Sequence, residues 1–164
     1  MITEVRAAEV PALREELIAL CAQAFGRPPW HDPPSRSIRQ VDRMLIAAAE
    51  AQGFCCVTAT DEAGALAGFA CGWTDSFCAR LSSAADDIET AFELAELAVA
   101  PAHQGRGLGH ALHDALLADA PTPRLLLTLP VPELRDRYER WGWRVLDEIV
   151  MKEGETPYAL MRQG

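Results

Sequence analysis

The 164-residue sequence is short of several things, and each shortage removes a class of protein. Positive charge is not in excess: 15 basic residues stand against 24 acidic ones, a formal net charge of -9, which argues against general nucleic-acid binding because that needs a basic face. The same acidity is compatible with a cationic small molecule, although it also describes an ordinary solvated surface. No apolar run approaches the ~20 residues of a membrane span. Charged Glu4 and Arg6 come too early for a signal peptide, so the expected setting is cytoplasmic. The five cysteines (Cys21, Cys55, Cys56, Cys71 and Cys78) contain no CxxC pair, and reduced, buried thiols are expected in place of a disulfide framework. Cys55 and Cys56, adjacent in a strand, face opposite ways and make no metal clip. No HExxH accompanies His110 and His113, which are expected at the surface of a helix with no metal. Repeats, low-complexity tracts and linkers are lacking too, so one domain over residues 1–164 is expected.

What is present reads as alternating strands and helices. Ile2 to Arg6 suits a short strand, and Leu13, Leu17, Leu20 and Ala24 recur at helical spacing behind Pro11. Four prolines then stiffen the loop from Gly26 to Pro34. Ser37 and Gln40 have capping-box spacing for a second helix with Ile38, Val41, Leu45 and Ala48 on one face, ended by Gly53. Phe54 to Thr60 and Leu66 to Thr74 read as a hairpin around residues 61–65, and Ser76 to Thr90 as a loop. Phe92 to Val99 is the central strand, Leu108 to Ala118 a crossover helix, and Arg124 to Leu129 a strand parallel to the central one. Pro132 opens a helix with Leu134, Tyr138 and Trp141 on one face; Arg144 to Met151 and Tyr158 to Met161 close the chain as antiparallel strands. The order β α α β β β α β α β β implies an α/β fold with a mixed sheet.

Between the central strand and the crossover helix lies Gln104-Gly105-Arg106-Gly107-Leu108-Gly109. Glycines there let backbone N–H groups converge, and the helix that follows adds the positive end of its dipole, which makes a phosphate cradle. Two common cradles do not fit. A P-loop needs Gly-Lys-Ser/Thr where this chain has Gly109-His110-Ala111. A dinucleotide fingerprint needs GxGxxG and a later acidic residue where this chain has Leu129.

The pattern Gln-x-x-Gly-x-Gly, preceded by Leu97-Ala98-Val99-Ala100-Pro101, resembles the pyrophosphate-binding loop of the GNAT superfamily of N-acetyltransferases. Tyr138-Glu139-Arg140-Trp141-Gly142-Trp143 resembles that family's Tyr-x-x-x-Gly-aromatic block. The resemblance covers about Phe92 to Trp143 and implies the GNAT fold, acetyl-CoA as acyl donor without a metal, and N-acetylation of a small-molecule or peptide amine by direct attack in a ternary complex. A non-catalytic acyl-CoA-binding or regulatory module on the same fold is the alternative. Membrane and nucleic acid are not expected partners, and the choice between monomer and homodimer is open.

Acyl transfer to an amine needs a proton acceptor, because a lysine-like ammonium costs about 4.6 kcal/mol to neutralise at pH 7. Glu93 and Glu96 lie in the central strand, but their odd spacing sets them on opposite faces unless a bulge intervenes. The choice between them stays open. The resemblance implies that backbone groups of Leu97, Ala98 and Val99 bond the pantetheine arm and the acetyl carbonyl. It also implies that Gln104, Gly105, Arg106, Gly107, Leu108 and Gly109 hold the pyrophosphate, and that Tyr138 assists the leaving thiolate. Full proton transfer from a phenol to a thiolate is uphill by about 2 kcal/mol, so a hydrogen bond that strengthens with developing charge describes Tyr138 better. Where many family members carry an asparagine seven residues before the tyrosine, this chain has Val131, with Thr128 the nearby substitute. For the acceptor, the segments implied offer Trp30, His31, Asp32, Trp73, Asp75, Asp86 and Asp87. Of these, Trp30, Trp73 and Asp75 suit a cationic amine through aromatic faces and a carboxylate.

Overall fold

Proline sets two helix boundaries differently from the periodicity. In the computed structural model, which describes all residues from Met1 to Gly164, Pro11 lies within a 3-10 segment, Ala7–Leu13, and the first α-helix, α1, is Arg14–Phe25. An α-helical ladder cannot run through Pro11, which lacks the N–H and crowds the preceding turn. Helix α2, Pro34–Glu50, starts three residues before the expected cap. Pro34 at the first helical position gives up only an N–H that has no partner there anyway. Ser37 is therefore not a cap but a buried residue of the first turn, and the buried face is Ser37, Val41, Met44 and Ala47. Ile38, expected inward, is 43% exposed.

The strands are β1 (Ile2–Glu4), β2 (Cys55–Thr60), β3 (Leu66–Asp75), β4 (Ala91–Val99), β5 (Arg124–Thr128), β6 (Arg144–Ile149) and β7 (Tyr158–Gln163); helices α3 (Leu108–Leu117) and α4 (Pro132–Arg140) complete the set. This is a mixed α/β fold. The chain divides into two compact units, Met1–Trp73 with Glu96–Asp119, and Thr74–Ala95 with Ala120–Gly164, the division falling inside β4. No helix is long and apolar enough to cross a membrane.

In the first unit the strand order is β1-β2-β3-β4. β1 and β3 both pair antiparallel with β2. The β2–β3 turn is closed by Asp61, whose Oδ1 accepts N–H bonds from Ala63 and Ala65, each at 2.9 Å. Four of the five cysteines are buried and all are free thiols, with Cys56 directly opposite Cys71. Gly68 fixes where β4 ends and α3 begins. A Cβ there would stand 2.8 Å from Leu112 Cδ1 and 3.0 Å from the Ala98 carbonyl oxygen, and Ala100 N–H bonds the Ala67 carbonyl at 2.8 Å.

In the second unit the order is β4-β5-β7-β6. β4 and β5 are parallel, pairing Phe92 with Arg124 and Glu93 with Leu125, a connection for which the chain supplies α3 as crossover. β7 pairs antiparallel with both β5 and β6. The segment expected as a loop, residues 76–90, contains two 3-10 turns, Ala79–Leu81 and Ser83–Ala85. It is held by Ser82 Oγ donating to Asp147 at 2.6 Å and by Arg162 on Asp87 at 2.9 Å. Ala79, Ala85 and Ile88 enter a core with Leu125, Ile149 and Leu160.

Gly68→Ala forces Leu112 or a β4 carbonyl aside, and we expect it to lower stability by about 1–3 kcal/mol. Thermal denaturation measures this; an unchanged midpoint contradicts the close approach.

Candidate functional site

The glycine loop is reached from β4 through one 3-10 turn, Pro101–His103. Gln104 Nε2 donates to the Val99 carbonyl at 2.9 Å, folding the loop back on the strand end. Gly105 (φ 77°) and Gly107 (φ 80°) are left-handed. Nothing lies within 4 Å of where their Cβ atoms would be, so the requirement is conformational, not spatial. Gly109 differs: it lies in the first turn of α3, which starts at Leu108 with Gly107 as its cap residue and no side-chain cap. The opening N–H groups of an α-helix have no partner within the helix, and here no capping side chain takes them. Gln104 to Gly107 are all exposed, Arg106 among them. An uncapped helix start behind two left-handed glycines and an arginine fits a diphosphate. Leu97, Ala98 and Val99 form the end of β4, beyond Phe92 and Glu93, the residues of that strand that pair with β5. Their backbone is therefore suited to pair with an extended polar chain, apart from the Val99 carbonyl that Gln104 uses.

Glu96 stands directly before these residues in β4 and is half-buried. Burial pushes its carboxyl up to about 7, against the opposing pull of the Arg43 and Arg36 guanidiniums and with a smaller upward push from Asp32. Burial likewise raises the Cys21 and Cys71 thiols, with the Glu96 charge adding to both. Asp32 Oδ2 lies 3.3 Å from Arg36 Nε, and burial raises the Asp32 carboxyl despite that arginine. The Arg43 guanidinium sits 5.3 Å from the centroid of Trp73, whose ring also stacks at 6.1 Å on Phe54. Trp73 is 4% exposed, so its aromatic face already carries a cation of the protein. Arg36 and Arg43 were not among the sequence candidates. Their separation of seven residues, two helical turns, was the signal available.

The remaining candidates have other surroundings. Glu93, in the second unit, is buried and accepts the Cys78 N–H at 2.9 Å. The two glutamates thus belong to different environments: Glu96 to the guanidiniums of α2, Glu93 to the turn after β3. Asp75 accepts N–H bonds from Ser76 at 2.7 Å and Phe77 at 3.2 Å, a turn-closing role. Trp30 packs edge-on against Phe25, centroids 5.4 Å apart. Tyr138 is buried in α4, edge-on to Trp141 at 5.5 Å and Trp143 at 6.4 Å. Gly142 has φ 91°, a conformation that selects glycine four residues after the tyrosine. Thr128 is buried with Oγ1 unpartnered, and Val131 is the cap residue of α4. The expectation of two surface histidines fails at His113, which is 3% exposed. It lies on the inward side of α3 beside Leu112 and Leu116, and its Nδ1 is 2.8 Å from Asp114 Oδ1.

A family model described as the acetyltransferase (GNAT) family matches residues 14–143. No curated protein matches significantly. Solved structures share the fold at low identity. One is a protein assigned to the GnaT acetyltransferase family from Bordetella pertussis (22% identity, 93% of this chain and 90% of that one, TM-score 0.66). Another is NAA60 of Arabidopsis thaliana in complex with a bisubstrate analogue (14%, 99% and 97%, TM-score 0.62). A third is yncA of Salmonella typhimurium with its cofactor acetyl-CoA (18%, 99% and 91%, TM-score 0.58).

The Glu96 shift has a consequence for stability. Its carboxyl titrates near 7 when folded, above the ordinary 4.5. Between those values the folded chain holds the extra proton, and stability falls as pH rises through that window and levels off above it. Allowing for partial exposure, the loss is about 2 kcal/mol. Glu96→Gln should remove it, so that urea denaturation shows the variant gaining on the parent between pH 5 and pH 8. A constant difference over that range contradicts the shift.

Proposed function

The chain belongs to the acetyltransferase (GNAT) family, and from that premise we propose that it transfers the acetyl group of acetyl-CoA to a primary amine of a small molecule or peptide, by direct attack in a ternary complex. The observation that carries this reading is the contiguity of Glu96, the β4 end and the glycine loop: fourteen consecutive residues supply a raised carboxylate, an extended backbone edge and an uncapped helix start. The yncA structure with acetyl-CoA and the NAA60 structure with a bisubstrate analogue support the same reading by likeness of fold.

When bound, acetyl-CoA supplies an acetyl thioester. The N–H groups from Gly105 to Gly109 and the Arg106 charge bind its diphosphate, and the backbone of Leu97 to Val99 orients the pantetheine arm and the acetyl oxygen. Glu96 takes the amine proton. Transfer from a lysine-like ammonium to a carboxylate near 7 is uphill by about 4.6 kcal/mol, against about 8 kcal/mol for an ordinary carboxylate. Glu93 is the weaker candidate for this step, because its carboxylate is engaged with the Cys78 N–H. Tyr138 donates a hydrogen bond to the departing sulfur; this role comes from its position four residues before Gly142, not from a distance.

Thiol release on incubation with acetyl-CoA and a panel of amines tests the proposal, and absence of acetyl-CoA binding in calorimetry contradicts it. With a turned-over amine, kcat/KM should rise with pH to a plateau above about 7. Glu96→Gln should lower kcat by about 100-fold and abolish that limb, and Tyr138→Phe should lower kcat by about 10-fold with the KM for acetyl-CoA little changed. Retention of the limb in Glu96→Gln assigns the base elsewhere.

A further inference from the structure

The surroundings of Glu96 carry information about the acceptor that the loop does not. Arg36, Gln40 and Arg43 follow one another at helical spacing on one face of α2. The two guanidiniums are close enough for their charges to act on Glu96, while Asp32, 3.3 Å from Arg36, is the other carboxylate in the group. Arg43 is exposed to solvent and is held over Trp73 at 5.3 Å. Gln40 Oε1 is buried with no hydrogen-bond partner, an acceptor awaiting a donor.

We infer that the acceptor is an amine that also carries a carboxylate, bound with its carboxylate against Arg43 and Arg36 of α2 and its amine at Glu96. The inference rests on the acetyltransferase reading and narrows its substrate class. For an ammonium alone, the two guanidiniums offset the attraction of Glu96 and Asp32, and the aromatic face that would attract it, Trp73, already holds Arg43. A carboxylate is attracted by the same pair, and arginine offers it a planar, two-pronged set of donors. The amine N–H groups meanwhile offer Gln40 the donor it lacks.

A free amino acid and a short peptide with an acidic group near its N-terminus share this chemistry, and one experiment separates them. Initial rates of thiol release are measured with acetyl-CoA and three sets of acceptors: α-amino acids, their carboxamides, and dipeptides of the same first residue with aspartate second. Binding of each to the CoA-loaded protein is followed by calorimetry. Acids should exceed their amides by about 10- to 100-fold in kcat/KM. Recovery of the rate in the aspartyl dipeptides but not in the free acids places the carboxylate one residue away and supports the peptide source. Arg43→Gln should erase the preference without changing the KM for acetyl-CoA, and Arg43→Lys should restore part of it. Amides turned over as well as acids and aspartyl dipeptides overturn the inference and leave the acetyltransferase reading standing. Selective binding of the acids with no turnover of any amine does the reverse. An Arg43→Gln loss equal for acids and amides also overturns the inference.

Discussion

A carboxylate half-buried among guanidiniums is the constraint on which the functional account depends. Ionised Glu96 is disfavoured by its surroundings and favoured by Arg43 and Arg36, and the outcome, a carboxyl lifted to about 7, poises it between proton donor and acceptor at neutral pH. Burial is the larger influence, and the two guanidiniums moderate it. The fold pins the pair of influences by putting Glu96 in a strand and Arg36 and Arg43 two turns apart on one helix.

The same strand then changes task within a few residues. Leu97 to Val99 end it, and beyond them the chain passes Gly105 and Gly107 in left-handed conformations that only glycine adopts cheaply. Gly68 sets the position of that transition by allowing Ala98 and Leu112 to come within about 3 Å of where its side chain would be. Packing at one buried glycine thereby brings the end of β4 against helix α3, within the first unit.

Much of this is legible in the sequence because it is local. Gln104 to Gly109 declares its turn chemistry in residue types, and Pro132 and Gly142 mark the two ends of the α4 region that carries Tyr138. Non-local packing was less legible. Leu45 and Ala48 matched a helical stripe as well as Met44 and Ala47, and only the start at Pro34 with the neighbours of α2 decides which face is buried. His113 looks like a surface residue beside His110, yet one helical step places it inward next to Leu112. The insertion of β7 between β5 and β6 follows from pairing between Leu126 and Met161, for which no local signal exists. Arg36 and Arg43 are hard to read for a related reason: charged residues on an amphipathic helix usually face water, and their proximity to Glu96 depends on strand and helix meeting.

The central claim is that Glu96 is the proton acceptor because its surroundings raise it to near neutrality. Carbon-13 NMR titration of the glutamate carboxyls tests it most directly. The account predicts one glutamate carboxyl with a midpoint near 7, missing from the spectrum of Glu96→Gln and matching the midpoint of the acetyl-transfer pH profile. A Glu96 carboxyl that titrates below 5 with the rest contradicts it.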